Sequence, residues 1–171
     1  MNHVIFLDID GVLNSKSWNE THQKEISDGI WIDEEKIALL AQLIRNTNAK
    51  IVLHSGWRFW FDNNGMPIRR ESERLVRLLS DAGLKISGMT PDLTTEEIRK
   101  TKKFSLVKAA EILLWLERHP NVNGWAVIDD LALHNETVSR HQVMPDQAIG
   151  LAWDDIDKAE KIISYEWHTD S

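Results

Sequence analysis

Asp8 and Asp10 stand two residues apart at the end of the apolar run Val4-Ile5-Phe6-Leu7, and Gly11 follows at once. Carboxylates at that spacing can do phosphoryl chemistry, one as a nucleophile and the other as a proton carrier. Held close together they also repel each other. A divalent cation relieves that repulsion, and an oxygen-only ligand set suits magnesium. Taken alone, the same residues also describe a strand that ends in an acidic turn.

Three further groups sit at similar places in the pattern. Ser55 ends the run Lys50-Ile51-Val52-Leu53-His54, a lysine lies near the start of a helical stretch at 106–118, and Asp129-Asp130 ends Trp125-Ala126-Val127-Ile128. A small hydroxyl and a fixed ammonium can hold phosphoryl oxygens. Two more carboxylates complete a magnesium site. Several polar strand ends of this kind arise by chance far less readily than one.

These groups need a scaffold that brings strand ends together. A strand buried on both faces delivers its C-terminal end to the ligand crevice of an α/β sheet. The first strand spans 4–8, so Asp10 falls in the turn and Gly11 lets that turn close tightly. Residues 14–31 are polar with little periodicity and read as a flap carrying Trp18 and Trp31. Asp33 caps a helix at 34–47, whose apolar stripe is Ile37, Leu40, Leu43 and Ile44. A strand at 50–54 leads into a helix at 56–61, broken by Asn63-Asn64-Gly65 and Met66-Pro67. Leu75, Leu78 and Leu79 mark a helix at 71–82 that stops at Gly83. A third strand spans 84–89. Residues 90–104 read as a polar, basic loop with room for one short helical turn. Ser105 caps the helix at 106–118, and strands at 125–128 and 142–144 precede a last helix at 154–165. Strands alternating with helices predict a doubly wound parallel sheet.

Composition sets the outer bounds. The 171 residues fit one domain, 1–171, and 42% hydrophobic content is enough for a core. No apolar run approaches the roughly 20 residues of a membrane span. The N-terminus opens directly into a strand pattern, without the basic flank and cleavage site of a signal peptide. Cysteine is absent, which excludes disulfides and fits a cytoplasmic protein. A net charge of −7 argues against nonspecific nucleic-acid binding over the whole surface but leaves room for a local basic groove. No sequence feature sets an oligomeric state.

The pattern resembles the haloacid dehalogenase (HAD) superfamily of phosphohydrolases. The resemblance rests on Asp8-Ile9-Asp10-Gly11-Val12, on Ile51-Val52-Leu53-His54-Ser55 and on Val127-Ile128-Asp129-Asp130. It narrows to the HAD domain of Swiss Army Knife RNA repair proteins through Leu13-Asn14, Ser55-Gly56-Trp57-Arg58, Gly88-Met89-Thr90-Pro91, Lys108 with Glu111-Ile112, and Gly150-Leu151. The resemblance implies a HAD-like Rossmannoid fold. It makes Asp8 the nucleophile and a magnesium ligand. Asp10 becomes the general acid/base and a ligand through its backbone carbonyl. Ser55, with Gly56 and Lys108, binds phosphate, and Asp129 and Asp130 complete the Mg2+ site. Lys102 and Lys103 are the alternatives to Lys108. His54 departs from the branch pattern and either brings a titratable group near the phosphate or packs and hydrogen-bonds beneath the loop.

Other features carry two readings. Trp57, Phe59, Trp60 and Phe61 are core packing, or else a wall for a stacked base. Arg58 grips a phosphate or pairs with a structural carboxylate. Arg69, Arg70, Arg74 and Arg77, and separately Arg99, Lys100, Lys102 and Lys103, are solvated faces or the banks of a nucleic-acid groove. His134 and His141 read as surface or packing residues. No stretch is long enough for a large cap domain, and an open site favours a phosphorylated nucleic-acid or nucleotide end as substrate. The expected protein is a magnesium-dependent phosphomonoesterase. A small-metabolite phosphatase and a non-catalytic phosphate-binding module are the alternatives. A receiver-type domain fits poorly, because it places its acidic pair and its phosphorylated aspartate on different strands, unlike Asp8-Ile9-Asp10.

Overall fold

The computed structural model describes residues 2–165. Five strands form one all-parallel sheet: β1 (Asn2–Leu7), β2 (Lys50–Leu53), β3 (Ile86–Met89), β4 (Val122–Ile128) and β5 (Gln142–Val143), in the order β3-β2-β1-β4-β5. The chain steps outward from β1 through β2 to β3, then returns to place β4 on the other side of β1. The order therefore reverses between β1 and β4, where open α/β sheets bind their ligands.

Alternation along β1 explains why its run is apolar throughout. Ile5 and Leu7 join a core that holds Leu40 and Leu43 of α3 (Glu34–Thr47), Leu75 and Leu79 of α4 (Arg70–Asp81), and Ile156 and Ile163 of α8 (Trp153–Ser164). Val4 and Phe6 face the opposite core, with Ala109 and Ile112 of α6 (Phe104–Glu117) and Val138 of α7 (Glu136–Arg140). Phe6 is fully buried and packs edge-on against Trp115 and Trp125, with centroids 5.3 and 5.9 Å away. Both faces of the sheet are thus covered, as a parallel sheet requires.

The structure departs from the sequence reading at several places. The flap at 14–31 contains two short helices, α1 (Lys16–Thr21) and α2 (Gln23–Ser27), with Ser15 Oγ capping α1 by accepting from the Trp18 amide at 3.1 Å. Neither helix buries a residue, so neither carries the apolar period that announces a helix. Residues 90–104 include α5 (Glu96–Thr101), capped by Thr95 and equally without a buried residue. The helix expected from 106 starts at Phe104, and Ser105 does not cap it. The Ser105 hydroxyl instead donates to the Ala132 carbonyl at 2.7 Å and accepts from the His134 amide at 2.8 Å. Finally, α7 fills a stretch that the sequence reading left without an element, and 56–61 is a single 3-10 turn (Gly56–Trp60). No large cap stands over the sheet among the described residues, and no helix is long and apolar enough to cross a membrane.

Candidate active site

The parallel ladder continues one residue past the strand ends and sets the site in register. Leu7 pairs with Leu53 on one side and with Ile128 on the other. Beyond them the Asp8 amide donates to the Ile128 carbonyl at 2.9 Å, the His54 amide to the Leu7 carbonyl at 2.8 Å, and the Asp129 amide to the Val143 carbonyl at 3.2 Å. Asp8, His54 and Asp129 are thereby brought to one edge by backbone bonds alone. Asp8 and Asp129 flank the point where the strand order reverses.

Asp8, Asp129 and Asp130 converge there, with one carboxylate oxygen from each within 4.8 Å of the others. Gly11 makes room for the third. Its φ of 80° suits glycine, and a Cβ built on it would lie 2.3 Å from Asp130 Oδ2. Asp129 is fully buried; its Oδ1 accepts from the Leu131 amide at 2.9 Å and its Oδ2 from Lys108 Nζ at 2.5 Å. Lys108 Nζ also stands 3.9 Å from Asp8 Oδ1. Lys102 and Lys103 lie elsewhere, exposed at the junction between α5 and α6. Of the three lysines, Lys108 is the one the fold brings to the carboxylates.

The electrostatics record the crowding. Burial, followed by the charges of Asp129 and Asp130, pushes the Asp8 carboxyl well above the usual carboxylate range, with Lys108 opposing. Asp130 is raised as well, by burial first and then by Asp129. Burial works against the Lys108 ammonium, but the Asp8 and Asp129 charges outweigh it and raise its pKa. One ammonium therefore does not neutralise three carboxylates. An all-oxygen cluster with uncompensated negative charge fits a hard divalent cation, and it offers none of the nitrogen or sulfur donors that zinc prefers.

The Asp10 side chain does not join that cluster. It is exposed, and its two oxygens accept from Asn14 Nδ2 at 3.0 Å and from Trp57 Nε1 at 3.1 Å. Ser55 is buried, and its Oγ accepts from the Trp57 amide at 3.2 Å, leaving the hydroxyl hydrogen free to donate. Gly56 is open, with nothing within 4 Å of a Cβ position. Arg58 takes the structural alternative: its Nη2 donates to Glu111 Oε2 at 2.9 Å, and its Nη1 donates to Thr90 Oγ1. His54 Nδ1 shares Thr90 Oγ1 at 2.7 Å, and Glu111 Oε2 also accepts from the Leu93 amide at 2.9 Å. His54, Thr90, Arg58 and Glu111 thus form a buried network beneath the Ser55 turn. Trp57 and Phe61 are buried in the core, Trp60 is partly buried, and Phe59 is 54% exposed. Trp18 stacks on His22 within the flap, and Trp31 packs against the main core.

Thr90 and Glu111 enter the sequence reading only as parts of the family resemblance, with no role assigned, and the bond from Trp57 to Asp10 does not enter it at all. Glu111 sits in an apolar helix face, and an acidic residue at such a position was the available sign of a buried partner. Burial holds the His54 ring well below its ordinary pKa, reinforced by the Lys108 and Arg58 charges. The unfolded chain protonates this histidine below about pH 6.5, whereas the folded chain holds it neutral to lower pH. Stability from this group is therefore present above pH 6.5 and is lost as the pH falls. Relative to His54→Asn, the wild type is expected to lose about 1 kcal/mol between pH 7.5 and 5.5 in urea melts, because other titrating groups cancel in the difference.

The parallel sheet, the acidic edge at its switch point and the adjacent lysine together define an α/β domain built for phosphate chemistry. Residues 4–156 match the family described as the HAD domain in Swiss Army Knife RNA repair proteins, and the chain belongs to that family. No curated protein and no solved structure matches it. Membership points to a phosphohydrolase-type function on a phosphorylated substrate.

Proposed function

We propose that this chain is a magnesium-dependent phosphomonoesterase that works through an aspartyl-phosphate and acts on phosphorylated nucleic-acid ends. The convergence of Asp8, Asp129, Asp130 and Lys108 at the β1/β4 crevice carries the reading. Asp8, Asp129 and Asp130 would hold the ion, with the Asp10 backbone carbonyl as a further ligand. When bound, magnesium neutralises charge on the carboxylates and on the phosphoryl oxygens.

The remaining chemistry belongs to the chain. An Asp8 oxygen attacks phosphorus, the bond from phosphorus to the leaving oxygen breaks, and that oxygen takes a proton from Asp10. Water then attacks the aspartyl-phosphate and gives its proton to Asp10. The phosphorus–oxygen bond to Asp8 breaks, its electron pair returns to the carboxylate, and inorganic phosphate departs. The Ser55 hydroxyl and the Lys108 ammonium hold the transferring phosphoryl oxygens.

Three observations support a polymer end over a small metabolite. The family description concerns RNA repair, and no large cap encloses the crevice among the described residues. Arg70, Arg74 and Arg77, with Glu73 among them, also line a depression of about 290 Å³ on α4. None of the three forms an ion pair among the described residues, although the chain is acidic overall. Arg70 reaches back to the flap, donating to the Ser27 carbonyl at 3.2 Å. Phosphate release should be measured in parallel from phosphorylated oligonucleotide ends, free nucleotides and sugar phosphates, with magnesium and with chelator. Preference for oligonucleotide ends is the expected result. Preference for a sugar phosphate sinks the substrate assignment, and magnesium-independent turnover sinks the mechanism.

A further inference from the structure

Both oxygens of the Asp10 carboxylate are already engaged, each by a buried donor. Trp57 Nε1 donates to Oδ2 at 3.1 Å, and Asn14 Nδ2 donates to Oδ1 at 3.0 Å. Trp57 is 4% exposed and Asn14 1%, while Asp10 itself lies at the surface. An exposed carboxylate needs no buried partner for its own solvation, because water serves it. The donors are themselves fixed. Asn14 also donates to the Trp31 carbonyl at 3.1 Å and accepts from the Gly11 amide at 2.9 Å, so its amide cannot turn away. Trp57 is wedged in the core against Trp60, and its backbone amide holds Ser55 Oγ at 3.2 Å.

A single acceptor oxygen would satisfy the buried indole N–H, and the contact would then mean nothing more. Two rigid donors on separate oxygens fix both side-chain torsions of Asp10. The same tryptophan thereby ties the acid/base side chain to the hydroxyl of the second strand end.

We propose that Trp57 is a positioning residue, with Asn14 as its counterpart, holding the Asp10 carboxyl in the orientation from which it protonates the leaving oxygen. This rests on the phosphomonoesterase reading above. The step is the one in which the Asp8-to-phosphorus bond forms, the bond to the leaving oxygen breaks, and the departing electron pair takes the Asp10 proton. A poor leaving group such as an alkoxide depends on that proton. A 2,4-dinitrophenolate departs without it.

The experiment compares kcat/KM of wild type and Trp57→Phe on an alkyl phosphate and on 2,4-dinitrophenyl phosphate. This ratio reports the steps through formation of the phosphoenzyme. Trp57→Phe keeps an aromatic ring in the core and removes the indole donor together with part of the ring volume, a packing loss that falls equally on both esters. It should lose about 10- to 100-fold on the alkyl ester and less than about 3-fold on the dinitrophenyl ester. Asn14→Ala, which strips the other oxygen, should show the same selectivity and serves as the test if Trp57→Phe does not fold. Equal losses on both esters, or none on either, overturn the positioning role, because a general structural defect does not distinguish leaving groups. If the wild type turns over neither ester, or Asp8→Asn retains turnover, both readings fall. Turnover abolished by Asp8→Asn with equal Trp57→Phe losses overturns the positioning role alone.

Discussion

Asp8→Asn is expected to lower magnesium-dependent hydrolysis of an aryl phosphate by at least about 10³-fold while raising the melting temperature of the metal-free protein. The loss follows from removing the proposed nucleophile, which no neighbouring group replaces at the same position. The gain follows from the crowding. Asp8 is buried beside Asp129 and Asp130, and its carboxyl is pushed well above the usual range by burial and by those two charges. An amide of the same shape removes one of three repelling charges and leaves Lys108 paired with Asp129 at 2.5 Å. Magnesium at 100 times its dissociation constant should stabilise the wild type by about 2.7 kcal/mol, and most of that should vanish in the variant. The pH dependence carries a matching sign. A raised carboxyl contributes stability that is fully present below its unfolded pKa and is lost as pH rises through its folded value. The variant should lack that contribution. Full turnover by Asp8→Asn would show that another group attacks phosphorus, whereas a fall in metal-free stability would show that repulsion does not dominate the cluster.

The second large effect concerns the network beneath the Ser55 turn. Glu111→Gln is expected to cost about 3–5 kcal/mol in urea denaturation, because it leaves the Arg58 guanidinium buried without its counter-charge. The two side chains are only 9% and 1% exposed and meet at 2.9 Å. Glu111 Oε2 also holds the Leu93 amide, and Arg58 also reaches Thr90. The pair therefore ties α6, the Ser55 turn and the segment after β3 to one another. Replacing both members by apolar residues of similar volume, as in Arg58→Met with Glu111→Leu, should recover most of the stability. A double-mutant cycle measures the coupling directly. A single-variant cost below about 1 kcal/mol would mean that water reaches the guanidinium, and the network would then not be what sets the turn.

These two cases divide what was legible in the chain from what was not. The proposed nucleophile, the second acidic pair and the parallel sheet follow from local signals: an unbroken apolar run, a carboxylate at its end, and glycine at the turn. Buried parallel strands need such runs, and sites at their C-terminal ends need polar groups there, so pattern and position coincide. Elements packed by an apolar face were equally plain, as α3 and α4 show. The helices α1, α2 and α5 bury nothing, and their sequences carry no period to read.

The amino-acid order by itself determined which residues could attack, bind phosphate and hold a cation, because those roles depend on side-chain type and on place at a strand end. Only the folded chain decided among equals. Three lysines lie within seven residues of one another, and helix phase with the start of α6 brings Lys108 alone to Asp8 and Asp129. Arg58 could have gripped substrate until Glu111, 53 positions away, claimed it. Trp57 could have been simple core until its indole met Asp10, 47 positions earlier. Partnerships over such separations are set by how β1, β2 and α6 pack, and no local pattern encodes that.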